Sequence, residues 1–447
     1  MRCNTIRPDC TDDYIRVLSD LISIPSIKSD PKPGAPYGIH TSEALNYMLS
    51  ICEQNGLWVK NMDNRVGYAQ WGSGKKMIAV VCHLDIVPPG EGWENDPFTL
   101  TRKNGLLMGR GVTDNKGPAV SSLFSLLRLR ESGYQPTCRI RLIFGLDEEH
   151  GCSCMDHYVA NEELPEAGFT PDASFPAIFA EKGLLQIRLR GPGSSLLEAV
   201  GGDAYNVVPS SCSIKNTATS LQFSAVGTPA HASTPEKGEN AIYKAISLIP
   251  NDFADEIPAL SFIRRNLMAE IGNDPLVGCA PADISGSLTI NNGILRINKE
   301  ESIVGLDIRY PVLSDGDSVC GEVFRKASVF GLEAEIIHHL PPLYTDPNHD
   351  YLRALRKAYE HHLPEVYSAD HPFEKSIPLP YQSCDPIAIG GGTYARSIPG
   401  IVAFGPVFPW EESKMHQKNE SCSEAATIAS IDLYSEAIRN LCLSLER

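Results

Sequence analysis

Positive charge is scarce in this chain, with 39 lysines and arginines against 55 aspartates and glutamates for a formal net charge of -16. A surface of that sign repels phosphate backbones and anionic headgroups, which excludes nucleic acid and anionic membranes as partners. Long hydrophobic runs are missing as well. The longest, such as Met77–Cys82, are strand-sized, far below the ~20 apolar residues that span a bilayer. Met1–Cys10 contains Arg2 and Arg7 with no apolar stretch behind them, unlike a secretory signal. The 13 cysteines are odd in number and show no disulfide framework, and Cys152 and Cys154 lack the two-residue spacer of a redox or zinc-ribbon motif. Buried thiols in a reducing compartment are the reading, and a soluble cytoplasmic protein is expected. Two catalytic devices are absent: the Gly-x-Ser-x-Gly nucleophile elbow and the Gly-x-x-x-x-Gly-Lys-Ser/Thr phosphate loop.

What is present is enough for two or three domains: 447 residues, 42% of them hydrophobic. Tyr14, Ile15, Leu18, Leu21 and Ile22 recur at helical spacing before Pro25. A second helix is expected from Ser42 as N-cap, with Ala44, Leu45, Met48, Leu49 and Cys52 on one face and Gly56 at its end. Lys75–Cys82 and Arg139–Leu146 read as strands, with a helix between them over Lys116–Arg130. Strands alternating with helices imply an α/β domain, a mixed, largely parallel sheet with helices on both faces. From Gly183 to Leu343 the pattern changes to alternating segments, with one long helix near Asn240–Ile249 in its first part. That is an α+β insert. The expected domains are a catalytic one from 1–182 and 345–447 and an inserted lid from 183–344.

Several strand ends carry chemistry. His83-Leu84-Asp85 follows a buried strand, and alternation puts the imidazole and the carboxylate on one face. Asp114 stands just before a helix in a glycine-rich segment, where an N-cap is the simpler role. Asp147-Glu148-Glu149 ends another apolar strand, and three adjacent carboxylates repel one another unless a cation sits among them. With Asp172 and His416, the set offers two imidazoles and three carboxylates: His83, Asp114, Glu149, Asp172 and His416. If Asp114 bridges, each of two divalent ions has one His, one terminal carboxylate and half of the bridge. Such ligation suits zinc, and also manganese or cobalt. Two ions close together activate water against a carbonyl.

In order and context these segments resemble the co-catalytic zinc metallopeptidases, the family of aminoacylase, carnosinase, acetylornithine deacetylase and succinyl-diaminopimelate desuccinylase, and among them bacterial PepV-type dipeptidases. The resemblance rests on His83–Pro88, Gly92-Trp93 to Pro97-Phe98, Gly109–Pro118, Asp147–Glu149, Phe169–Pro176, Gly390–Arg396, Ala403–Pro406 and His416-Gln417. It implies that His83, Asp114 and Asp172 hold one metal, and Asp114, Glu149 and His416 the other. Glu148 matches the general base, and Asp85 the carboxylate behind His83. His231, in Gly227–Ser233, matches the lid imidazole that steadies the oxyanion. Asn206 and Arg309 match lid contacts to substrate. The Gly391-Gly392-Thr393 turn would receive the substrate carboxylate, with Arg309 as charged partner and Arg396 a further contact.

The activity implied is metal-dependent hydrolysis of a dipeptide by a monomer or homodimer. An N-acyl-amino-acid deacylase, or a silent metal- or peptide-binding relative, is the alternative. Asn115 departs from the family, which often has a second Asp there. His338-His339 and His361-His362 read as solvated surface, and Trp93 and Trp410 as packing or rim residues.

Overall fold

Met77–His83 is buried at every position, the pattern of a strand covered on both faces. In the computed structural model, which describes residues 5–268 and 280–446, this strand lies inside a mixed sheet. The order is Trp58–Met62, Val66–Trp71, Arg139–Gly145, Met77–His83, Ala167–Thr170, Ile401–Ala403, Ile178–Glu181 and Leu343–Tyr344, with Ile387–Ile389 pairing Ile178–Glu181 off this path. The four strands from Arg139–Gly145 to Ile401–Ala403 run parallel, and the flanking ones are antiparallel. Gly67 faces Leu45 and Leu49 of the Ile39–Gln54 helix, while the next residue, Tyr68, meets Tyr158 of the Ser153–Asn161 helix. Successive strand residues point to opposite sides, so helices cover both faces. Lys116–Glu131 also lies on the sheet, between Thr11–Ile22 and Glu424–Ser444, and the latter packs along Asp350–Asp370. Among the described residues no helix is long and apolar enough to cross a membrane.

Register decides where chemistry can collect. His83 pairs with Gly145 and Val80 with Phe169, so the parallel strands release their carboxyl ends along one edge. In open α/β sheets ligands bind beyond that edge. His83 ends one of these strands, and Asp147–Glu149 and Asp172 closely follow two others.

Two helix starts differ from expectation. The second helix begins at Ile39, with Gly38 rather than Ser42 as N-cap. Thr41 and Ser42 instead turn their hydroxyls back onto the Gly38 carbonyl, at 2.9 and 3.3 Å, which satisfies them inside the first turn. Asp114 is not a cap either. Asn115 occupies that position, without a side-chain capping bond.

The chain divides into two compact units: one made of residues through Phe179, Thr345–Ile387 and Thr393 onward, the other of Ala180–Tyr344 and Ala388–Gly392. The return of Ala388–Gly392 to the second unit was not expected. It is tied there by Lys182 N–H to the Ile389 carbonyl at 2.9 Å and by Arg309 Nη1 to that of Gly390 at 2.7 Å.

The second unit is an antiparallel sheet ordered Gln222–Val226, Ser211–Asn216, Leu197–Gly201, Thr289–Ile297, Glu301–Tyr310, Gly183–Pro192 and Glu333–Leu340. Its core joins Leu185, Ile187 and Leu189 to side chains of the helices Ala241–Ser247, Pro258–Asn266 and Gly316–Val329. The Asn240–Ile249 expectation is met by only two turns, ended before Pro250, and the Gly316–Val329 helix, capped by Asp315, was not anticipated.

Candidate metal centre

His83 donates from Nδ1 to the Asp85 backbone carbonyl, 3.0 Å away. That hydrogen bond fixes the tautomer and leaves Nε2 facing outward from the strand end. Asp114 Oδ1 lies 2.8 Å and Asp172 Oδ1 3.5 Å from Nε2. The other oxygen of Asp114, Oδ2, is 2.9 Å from His416 Nε2, which is in turn 3.1 Å from Glu149 Oε2. One carboxylate thus faces two different imidazoles. Ligand-type atoms of His83, Asp114 and Asp172 lie within 4.8 Å of one another, as do those of Asp114, Glu149 and His416. Glu148 joins the same locus, within that distance of His83 and Glu149.

The surrounding bonds explain how so many acids are tolerated. Asp85 is fully buried and receives the Glu148 and Glu149 backbone N–H groups, each at 3.2 Å, so it orders the Glu148-Glu149 turn as well as flanking His83. Asp147 points away, bound to Lys28 Nζ at 2.6 Å and Ser153 Oγ at 2.5 Å. The predicted mutual repulsion of Asp147-Glu148-Glu149 is relieved by that division of labour. Asn115 Nδ2 donates to the Pro171 carbonyl at 2.6 Å and to Asp172 Oδ1 at 3.2 Å. A second Asp at 115 would set acceptor against acceptor in both contacts, so the departure from the family pattern suits this packing.

Sequence reasoning missed Glu420. It is completely buried, and its Oε1 accepts from Thr113 and Asp114 N–H at 2.9 and 3.1 Å. Its Oε2 accepts from Gly111 N–H at 3.0 Å and Arg110 Nη1 at 2.7 Å. Glu420 therefore clamps the loop that presents Asp114. The signal available was its position four residues after His416, in the segment already singled out.

Electrostatics match a cation site. Burial, then the charges of Asp172, Asp114 and Glu149, lift the Glu148 carboxyl well above its ordinary range, with His83 opposing. Burial likewise lifts Asp172 to about 6. Hydrogen bonds to Asp114 and Glu149 raise His416 to about 10. For His83, burial favours the neutral ring but the bonds to Asp114 and Asp172 outweigh it. Asp114 is held low: burial opposes its charge, and the two imidazoles overcome that. Four carboxylates against two imidazoles leave the cluster anionic even with both rings protonated. Glu149 Oε1 is buried with no hydrogen-bond partner among the described residues, as a ligand oxygen would be. The donor set fits two divalent ions.

The second unit holds Asn206, His231, Arg309, Gly391 and Gly392, whereas Thr393 and Arg396 belong to the first. Ala232 N–H donates to the Asn206 carbonyl at 2.9 Å, placing Asn206 beside His231. Ser233 N–H points at His231 Nδ1 from 3.2 Å and its hydroxyl lies 2.7 Å from the same atom. Nδ1 is therefore an acceptor and the proton resides on Nε2. Arg309 is held within the second unit. It is 5% exposed, its Nε and Nη2 fork holds buried Asp307 at 2.6 and 3.2 Å, and Nη1 takes the Gly390 carbonyl. Asp307 thus orients the guanidinium, which holds the glycine turn through Gly390. Thr393 caps the short turn Tyr394–Ser397 by accepting from Ala395 N–H. Trp93 lies under Arg110, 5.2 Å from the guanidinium carbon, and Trp410 stacks on Phe408.

Residues 79–440 match the model of Peptidase family M20/M25/M40. YtjP of Bacillus subtilis (strain 168), provisionally named a dipeptidase, is 30% identical over 475 residues, covering 96% of this chain and 97% of that protein. A Staphylococcus aureus (strain USA300) protein with the same provisional name is 28% identical over 97% of each chain. Among solved structures, aminoacylhistidine dipeptidase of Vibrio alginolyticus aligns with a TM-score of 0.60 at 13% identity, over 99% of this chain and 98% of that one. Human carnosine dipeptidase 1 aligns at 0.59 and 15% identity, over 97% and 96%. At those identities the two structures speak for the shared fold of an α/β domain with a second, inserted one. The family match and the sequence relatives go further: this chain belongs to Peptidase family M20/M25/M40 and is a hydrolase acting on peptide bonds.

Proposed function

We propose that this hydrolase is a dipeptidase working with two divalent ions, most readily zinc, held by His83, Asp114 and Asp172 on one side and by Asp114, Glu149 and His416 on the other. Asp114 carries the reading: its two oxygens face two imidazoles at 2.8 and 2.9 Å, each backed by a further carboxylate. When bound, such ions polarise the scissile carbonyl and acidify the attacking water. Glu148 takes a proton from that water and returns it to the leaving amine, so it must be ionised at the start of a turnover. Asp85 fixes both the His83 tautomer and the Glu148 backbone. His231, with its proton on Nε2, is the donor to the developing oxyanion. Asn206, Gly391, Gly392, Thr393 and Arg396 contact the substrate. Arg309, which also holds the Gly390 carbonyl, is the charged partner of the substrate carboxylate. The dipeptide preference is supported by the names of the relatives above, and a cytoplasmic location suits the free cysteines.

The test is a panel of dipeptides, a tripeptide and N-acetyl amino acids, assayed after chelation and reloading with zinc, manganese or cobalt. The proposal expects kcat/KM to be highest on dipeptides and abolished by chelation. A preference for N-acetyl amino acids would make the chain a deacylase. Glu148→Gln should be inactive with its metal content unchanged.

A further inference from the structure

Outside that centre, the described residues bring together one more triad of metal-ligating side chains, at the junction of the Asp350–Asp370 and Glu424–Ser444 helices. We infer that His361, His362 and Glu436 form a separate site for one divalent transition-metal ion, which clips these two helices together. The inference does not depend on the catalytic reading.

Adjacent residues on a helix diverge by about 100°, so neighbouring histidines do not ordinarily converge. Here they do, because they use different ring nitrogens. His361 presents Nδ1 and His362 presents Nε2, at 2.5 and 2.9 Å from the same oxygen, Glu436 Oε2. The rings stand 4.8 Å apart at 54° to each other. Glu365 Oε2 lies 3.5 Å from His362 Nδ1, a carboxylate behind the imidazole that would orient it and raise its basicity.

Burial divides the roles. The side chains of His362 and Glu436 are only 12% and 21% exposed, so two of the three donors are already held in place. His361 is 70% exposed and leaves a path for an ion and its remaining waters. Bonds of about 2.0–2.2 Å in a tetrahedral site put donor atoms roughly 3.3–3.6 Å apart. From 2.5 and 2.9 Å, the His361 distance would have to open by about 0.8–1.1 Å, which rotation of its exposed ring supplies, and the His362 distance by about 0.4–0.7 Å, which a small turn of the Glu436 carboxylate supplies. Two imidazoles and one carboxylate select zinc, nickel or copper over magnesium or calcium. The other surface pairs, His40 with Glu43 and His157 with Asp63, offer one imidazole each and no chelate.

The test uses the full chain titrated with Zn2+ and counts bound ions. Wild type should bind one equivalent more than His361→Asn/His362→Asn, and Glu436→Gln should weaken that event at least tenfold. Asp114→Ala should retain it. Dipeptide turnover should be unchanged by the His361/His362 substitutions, and His40→Asn should alter nothing. Zinc should also raise the unfolding temperature of wild type more than that of the double variant. Equal ion counts and equal zinc-induced shifts in the two proteins would overturn the inference and leave a hydrogen-bonded trio only.

Discussion

Replacing Glu420 probes the support of the centre without touching any ligand. Its carboxylate makes four contacts in a fully buried pocket: Thr113 and Asp114 N–H to one oxygen, Gly111 N–H and Arg110 Nη1 to the other. Glu420→Ala would leave the guanidinium of Arg110, itself 1% exposed, without its counter-charge. Stranding a buried charge costs about 3–5 kcal/mol, and each orphaned N–H about a further 1 kcal/mol. That is a large share of the 5–15 kcal/mol that holds a typical domain together, so the alanine variant is expected to fold poorly. Glu420→Gln keeps the volume and can keep two of the bonds, while its amide turns a donor toward Arg110 and Gly111. Losing two charge-assisted bonds at about 1.5 kcal/mol each, with Arg110 deprived of its counter-charge as in the alanine variant, predicts a loss of at least about 3 kcal/mol. Urea denaturation with an unchanged m-value measures it. Because the Asp114 N–H is one of the tethered groups, weaker metal retention and lower turnover should accompany the loss. A Glu420→Gln protein within 0.5 kcal/mol of wild type, with wild-type metal content, would refute the clamp.

Other expectations follow from the same geometry. His231→Ala should lower kcat about 10²–10³-fold, the usual cost of one oxyanion donor, with metal content intact; near-wild-type turnover would remove His231 from the mechanism. The metal-free centre carries protons at neutral pH, since bonds to Asp114 and Glu149 raise His416 to about 10 and burial with neighbouring charges raises Glu148. Metal binding must displace them, so affinity should climb as pH rises from 6 toward 10, and calorimetry in buffers of different ionisation enthalpy should report proton release; a buffer-independent enthalpy would contradict this. Lys116 is buried, donating to the Leu21 and Ile24 carbonyls, and burial lowers its ammonium from 10.5 to about 7. Between those values the unfolded chain holds a proton that the folded one lacks, so this group makes stability rise with pH across the window. Wild type should gain on Lys116→Met by up to about 1.4 kcal/mol per pH unit there, whereas parallel stability curves would show the lysine to be charged throughout.

Much of the centre was legible because it is built from strand ends. An apolar run that stops at His83, or at Asp147-Glu148-Glu149, announces a buried parallel strand whose carboxyl end must be used. The partners that make those acids tolerable were not legible, because they come from far along the chain. Lys28 neutralises Asp147 across 119 residues, and Glu420 grips the Asp114 loop across more than 300. Asp114 looked like a helix cap because capping is local and its true neighbours, His83 and His416, are not. Ser42 looked like a cap for the same reason, and an internal bond to Gly38 took its hydroxyl instead. The pairing of Arg309 with Asp307, two residues earlier on the same strand, emerged only in the folded unit.

The central claim is that one carboxylate serves two ions. It is tested most directly by counting zinc in Asp114→Ala, made in the His361→Asn/His362→Asn background so that only the centre is read. Loss of both ions, beside loss of mainly one in Asp172→Ala and in His416→Ala, is the predicted result. Two tightly bound ions per chain in Asp114→Ala would contradict it.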